Sequence, residues 1–256
     1  MKPRALACLL AGIALVTPSL RAEKLTIAAA ANLTYALAAL DEAYQKANPG
    51  DELTTVIGSS GNLFAQITNG APIDVFLSAD TDYPQKLADA GNADAATLTP
   101  FATGRLALWT TRQDLDVTNI AAALANPKVK HIAIANPRTA PYGLAAKQTL
   151  AALNLEKVVS DKLVVGENIT QTAQFVETGN ADLGFIALSL LLAPNHKSKG
   201  AYSEVPPELY DPIDQGAVIT KLGATNAAAK RYITFLKSRT AQDVLTRFGY
   251  GVPAFE

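Results

Sequence analysis

Lys24-Leu25-Thr26-Ile27-Ala28-Ala29-Ala30-Ala31-Asn32-Leu33-Thr34 is the stretch on which the fold turns. Residues 24–29 read as a strand, and apolar positions at helical spacing follow over 33–48. Only small residues and one Asn separate the two, so the strand hands directly to the helix. The same rhythm continues outward: a strand over 53–57, a short helix over 63–69, then a strand over 74–78. Strands alternating with helices in this way predict a parallel sheet with helices on its faces.

The pattern breaks near 100–103 and restarts. Strands are expected over 105–110, 131–135, 162–165 and 183–186, with helices over 142–153 and 170–178. A second irregular stretch carries Pro206, Pro207 and Pro212. A strand over 216–220 and closing helices over 225–238 and 241–248 end the chain. Two restarts without a flexible linker predict two lobes joined by strands that cross between them. Lobe I is expected to comprise residues 23–104 plus 218–256, and lobe II residues 105–217. A single doubly wound sheet is the alternative. In open α/β sheets ligands bind beyond the carboxyl ends of the strands, so two facing lobes place the site in the cleft.

At the N-terminus, Lys2 and Arg4 precede an apolar run over 5–16 that closes on Thr17-Pro18-Ser19-Leu20-Arg21-Ala22. This is the order of a secretory signal peptide, too short in its apolar part to span a bilayer as a helix. Cleavage is expected after Ala22, which makes residues 1–22 the signal peptide and places the mature protein in the periplasm. Cys8, the only cysteine, leaves with it, so neither a disulfide framework nor a thiolate site is expected. Removing Lys2, Arg4 and Arg21 from 22 basic residues leaves 19 against 23 acidic ones, a net charge of −4. A mildly acidic chain without a basic stripe argues against nucleic acid and against capturing anions by bulk steering. Any anion site has to be local.

Four loops each join a strand's end to a helix's start: 30–34, 58–62, 139–143 and 167–170. A helix start offers unpaired backbone N–H groups and the positive end of a dipole, a ready place for an anion. Taken singly, Asn32, Ser60 and Thr170 are good N-cap residues, and Pro141 suits a helix start without any ligand. The set carries more weight, with two loops in each expected lobe and little charge nearby. Glu167 is the exception, and its side chain must point away from any bound anion.

The run Ala29-Ala30-Ala31-Asn32-Leu33-Thr34 resembles the periplasmic molybdate-binding proteins of ABC transporters, the ModA family. So do Gly58-Ser59-Ser60-Gly61-Asn62-Leu63 and the more specific run from Gln66 to Asp80, Gln66-Ile67-Thr68-Asn69-Gly70-Ala71-Pro72-Ile73-Asp74-Val75-Phe76-Leu77-Ser78-Ala79-Asp80, together with the ending Arg247-Phe248-Gly249-Tyr250. The resemblance covers essentially the whole mature chain. It implies a two-lobed α/β periplasmic-binding-protein fold, type II-like, with a molybdate or tungstate oxyanion held in the cleft by neutral donors. It also implies an ABC import permease as partner, no cofactor, no side chain bonded directly to a metal, and a monomer. By local match Asn32 takes the first-loop ligand position and Ser60 the second-loop serine, through both N–H and hydroxyl. Tyr142 and Ile169 match positions that donate backbone N–H groups. Two departures stand out. Ala187 lies where some relatives have a tyrosine hydroxyl, and Ala31 where others have Thr. One donor must therefore come from elsewhere, and the Asn32 amide is the candidate.

The chemistry agrees with that set. Molybdate and tungstate carry no proton at neutral pH, so every oxygen wants a donor, and fixed dipoles can stand in for a countercharge. Hydrogen phosphate would want one acceptor, and the loops offer only Glu167 and Asp80. Sulfate, the alternative ligand, differs only in size. An exported enzyme is the rival of another class. With only His131 and His196 a His-centred triad is not expected, and Gly58-Ser59-Ser60-Gly61 lacks the nucleophile-elbow spacing. Asp74, Asp80 and Asp82 read as a strand start and a capping turn rather than a metal cluster. Paired Arg and carboxylate for an amino acid, or adjacent tyrosines for ferric iron, are missing from the four loops.

Overall fold

The computed structural model describes residues 23–193 and 199–253. The signal peptide expected over 1–22, with Cys8, lies outside the described residues, as does His196. Elements run in the order β1 (Lys24–Ala30), α1 (Thr34–Ala47), β2 (Glu52–Gly58), α2 (Ser60–Thr68), β3 (Val75–Ser78), α3 (Asp82–Asp89) and β4 (Thr99–Gly104). Next come β5 (Leu106–Thr110), α4 (Ile120–Ala125), β6 (Ile132–Ala135), α5 (Pro141–Ala152), α6 (Glu156–Val159) and β7 (Leu163–Gly166). Then follow α7 (Ile169–Glu177), β8 (Leu183–Ala187), α8 (Leu188–Leu191), β9 (Ala201–Glu204), β10 (Ile213–Ile219), α9 (Ala227–Leu236) and α10 (Arg239–Arg247).

Two five-stranded sheets result, ordered β2-β1-β3-β10-β4 and β7-β6-β8-β5-β9. Each has a parallel centre, with β1 pairing β2 and β3, and β6 pairing β7 and β8. The later strands close each sheet antiparallel. The chain crosses from the first sheet to the second between Gly104 and Leu106, and back between Glu204 and Ile213. The return therefore precedes the expected position at 218, because β10 pairs along its whole length inside the first sheet. Pro206, Pro207 and Pro212 fill the crossing, where no ladder hydrogen bond is lost to them. The expected break at 100–103 is in fact β4. Pro100 is tolerated there because β4 is an edge strand.

Strand alternation builds the cores. In β1, Leu25, Ile27 and Ala29 face α1, α9 and α10, while Ala28 faces α2 with Leu63 and Phe76. The second sheet has its own core around Trp109, Ile134, Phe185 and Leu150, and this core reaches Ala30, Ala31 and Ala79 of the first lobe at the seam.

One carboxylate in the first lobe is held at a cost. Asp41 of α1 accepts from the Tyr232 hydroxyl at 2.8 Å and lies 3.5 Å from the Thr55 hydroxyl. Burial pushes its pKa up to about 6, against the pull of those hydrogen bonds. The folded protein thus binds this proton more tightly than the unfolded chain, whose aspartate titrates near about 4. Stability from this group is greatest in acid and is lost as pH rises from about 4 through about 6. Asp41→Asn keeps the Tyr232 hydrogen bond without the charge. It is expected to raise the melting temperature at pH 7.5 and leave it unchanged at pH 4, and an equal gain at both values would rule this account out.

Candidate functional site

The four strand-to-helix junctions meet at the seam between the lobes. Ala31 and Asn32 come from the 3-10 turn Ala31–Leu33 after β1, Ser59 and Ser60 from the start of α2. Tyr142 comes from the start of α5 and Ile169 from the start of α7. All four sequence-predicted residues (Asn32, Ser60, Tyr142 and Ile169) line one cavity. About 10 Å³ of it is open to the centre of a water-sized sphere, room for one small ion and not for an amino acid or a sugar.

At each of these helix starts an N–H group is left unpaired among the described residues. The outward-facing helices α4, α9 and α10 are each capped by a side chain, from Asn119, Asn226 and Ser238. At the cavity, the cap positions Ala30, Ser59 and Ala140 provide no side-chain cap. Asn168 does cap α7, but it takes the N–H groups of Thr170 and Gln171 and leaves that of Ile169. In α5, Pro141 has no N–H, while Ala140 and Gly143 donate to Asn136 and Ala140, which leaves Tyr142. Among the described residues, the N–H groups of Asn32, Ser60, Tyr142 and Ile169 find no protein acceptor. Four dipoles' positive ends therefore converge on the cavity.

Capping, the alternative for Asn32, Ser60 and Thr170 taken singly, is not what the structure shows. Ser60 is the first residue of α2, and its hydroxyl oxygen accepts from the Ala79 N–H at 2.9 Å. Its single proton is thereby free to point elsewhere. The Thr170 hydroxyl crosses the seam and donates to the Ala31 carbonyl at 3.0 Å. The expectation that the Asn32 amide supplies the extra donor is also overturned. Its Nδ2 donates to Gln215 Oε1 at 3.0 Å and to the Tyr250 hydroxyl at 2.8 Å, which uses both protons. Asn32 is left with its backbone N–H. Ser189, near the missing tyrosine at Ala187, donates to the Asn32 carbonyl at 2.8 Å and takes no place in the cavity lining.

No charged residue lines the cavity. Asp80 accepts from the Ser78 hydroxyl and the Tyr83 N–H, and burial raises its pKa above the usual carboxylate range. Glu167 is exposed to solvent. The Tyr142 ring is fully buried, and burial holds its hydroxyl far above its ordinary pKa, so it stays neutral. Among the described residues no group of acidic, His or Cys side chains could hold a metal ion. The residue that the sequence reading passed over is Ser59. It lines the cavity, is 4% exposed, and its hydroxyl has no partner. Its side-by-side position with Ser60 was the available signal.

A cleft between two α/β lobes with one ion-sized space lined by uncharged residues defines a solute-binding protein. Residues 25–251 match the family of bacterial extracellular solute-binding proteins. The molybdate-binding protein ModA of Azotobacter vinelandii is 40% identical over 241 residues, covering 94% of this chain and 95% of that protein. ModA of Rhodobacter capsulatus is 40% identical over 201 residues, 78% of each chain. The solved structure of the periplasmic molybdate-binding protein of Azotobacter vinelandii superposes with a TM-score of 0.85 at 36% identity, covering 90% of this chain and all of that one. The chain belongs to the bacterial extracellular solute-binding proteins and, within them, to the ModA family.

Closure of the lobes has one tight point beside the site. The Gly61 N–H donates across the seam to the Thr139 carbonyl at 2.8 Å. A Cβ on Gly61 would lie 2.6 Å from the Tyr83 hydroxyl and 3.0 Å from Thr139 Cα. Gly61→Ala favours the helix but wedges the lobes apart. Overpacking of this kind costs about 1–3 kcal/mol, so anion affinity is expected to fall roughly five- to a hundredfold. The ligand-free melting temperature should hold, and unaltered affinity in calorimetry would show that the lobes need not meet at Gly61.

Proposed function

We propose that this protein captures molybdate or tungstate in the periplasm and delivers it to an ABC import permease. The observation that carries the reading is the convergence of uncapped helix starts on an ion-sized cavity without a charged lining residue. Such a site offers hydrogen-bond donors without a fixed charge, which suits a tetrahedral dianion that carries no proton. In this reading the anion accepts from the backbone N–H groups of Asn32, Ser60, Tyr142 and Ile169 and from the Ser60 hydroxyl. The relatives' names support the choice of ligand. The protein acts as a monomer, catalyses no reaction and needs no cofactor; the metal arrives and leaves as its oxyanion. Export through the signal peptide over 1–22 would put it where the permease is loaded.

Discrimination against sulfate rests on the size of the closed cavity, since charge and hydrogen-bond pattern are the same. Discrimination against hydrogen phosphate rests on the lack of a carboxylate in the lining to take its proton. Calorimetric titration of the mature protein is expected to give tight binding of molybdate and tungstate and much weaker binding of sulfate and phosphate. Sulfate binding as tight as molybdate would overturn the ligand assignment.

The Ser60 hydroxyl has two jobs in this reading, one toward Ala79 and one toward the anion. Ser60→Ala leaves the Ala79 N–H buried without an acceptor, at about 1–3 kcal/mol of fold stability. It also removes a hydrogen bond to a charged group, worth about 1.5–3 kcal/mol, or roughly ten- to a hundredfold in affinity. Both losses are expected together, in denaturant melts and in molybdate titration. A stability loss with unchanged affinity would reduce Ser60 to a structural residue.

A further inference from the structure

The proposed site is one side-chain donor short. Ala31 brings no hydroxyl, and both Asn32 amide protons are committed to Gln215 and Tyr250 behind the cavity. Ser59 lines the same cavity. It holds the cap position of α2 with backbone angles of −73° and 148°, yet its side chain accepts no hydrogen bond from the helix. It is almost fully buried, and its hydroxyl has neither donor nor acceptor among the described residues. A serine at an N-cap ordinarily bonds the N–H two or three residues on. Forgoing that contact and burying the hydroxyl unpaired costs stability twice over. Buried polar groups left unpaired in this way call for an explanation, and a ligand in the cavity supplies one.

We infer that the Ser59 hydroxyl is a further oxyanion donor, acting beside the Ser60 hydroxyl in place of the one that Ala31 lacks. The inference rests on the proposed oxyanion function and deepens it. Ser59 and Ser60 are neighbours at one helix start, but their hydroxyls are set differently. Ser60 is anchored by the Ala79 N–H, which fixes where its proton can go. Ser59 has no protein anchor, so only the anion orients it.

This difference makes the test selective. Ser59→Ala is expected to weaken molybdate binding about ten- to a hundredfold in calorimetric titration. At the same time the melting temperature of the ligand-free protein should stay level or rise, because an unpaired buried hydroxyl has been removed. A structural serine would lower that melting temperature on substitution. Affinity equal to that of the unsubstituted protein would overturn the inference, as would a lower ligand-free melting temperature with no loss of affinity. If the unsubstituted protein itself failed to bind molybdate, the functional reading would fall first, so the two failures are distinguishable.

Discussion

Backbone N–H groups left unpaired at a buried seam are the constraint around which this molecule is arranged. A buried donor without an acceptor costs about 1–3 kcal/mol, so folds normally avoid collecting several in one place. Here the chain does the reverse. It caps α4, α9 and α10 with side chains and withholds a cap from three of the four junctions at the cavity. Small residues line the cavity, with Ala30, Ala31 and Ala140 at those junctions and Ala79 just after β3. Pro141 removes the one N–H that would compete with that of Tyr142. The two-lobed architecture follows from the same constraint. Helix starts in one sheet face the same way, and only a second sheet turned toward the first can surround an ion with them.

Neutrality of the lining has a consequence for charge. Helix termini and hydroxyls do not titrate near neutral pH, and the nearest tyrosine hydroxyls, those of Tyr142 and Tyr250, are pushed higher by burial, Tyr250 to about 12. A countercharge from Lys or Arg would attract any anion of the right sign, whatever its protons. Fixed neutral donors without a carboxylate beside them disfavour a proton-bearing anion instead, so in the proposed function selectivity comes from what the cavity lacks. The mildly acidic surface then does little harm, because the dipoles act within the first turn of each helix.

The junctions were legible in the sequence because strand ends, small residues and helix starts follow one another without spacer, as in Ala29-Ala30-Ala31-Asn32. The first crossing was read from an apparent break at 100–103, and it lies just after β4, between Gly104 and Leu106. The return crossing was misplaced because β10 begins in a proline-rich stretch that reads as irregular, and its pairing is a tertiary fact. β4 was hidden by Pro100, which only an edge position permits. Short α3 and β9 gave too little periodicity to read. At the site, residue type marked Asn32 and Ser60 but not how their atoms are committed. Whether an amide faces a cavity or a buried Gln215–Tyr250 pair depends on residues more than 180 positions away.

Those distant partners also explain how the halves of the site are held in register. The single Tyr250 hydroxyl proton lies within hydrogen-bond reach of the Asn32 carbonyl at 2.9 Å and the Ser189 hydroxyl at 3.0 Å, so the chain's end pins a first-lobe loop beside the start of α8 in the second lobe. Gln215, on β10 just after the return crossing, reaches Asn32 on one side and the Tyr142 hydroxyl on the other. The donors themselves divide unequally. In the proposed site, hydroxyls come from the first lobe, whereas the second contributes main-chain N–H groups at Tyr142 and Ile169. A main-chain donor survives almost any change of its own side chain but not a shift of its helix. The seat of α5 therefore governs more than the identity of residue 142 does, and Gly143, where a Cβ would come within 2.2 Å of the Ala135 carbonyl oxygen, is what lets that helix press against the end of β6.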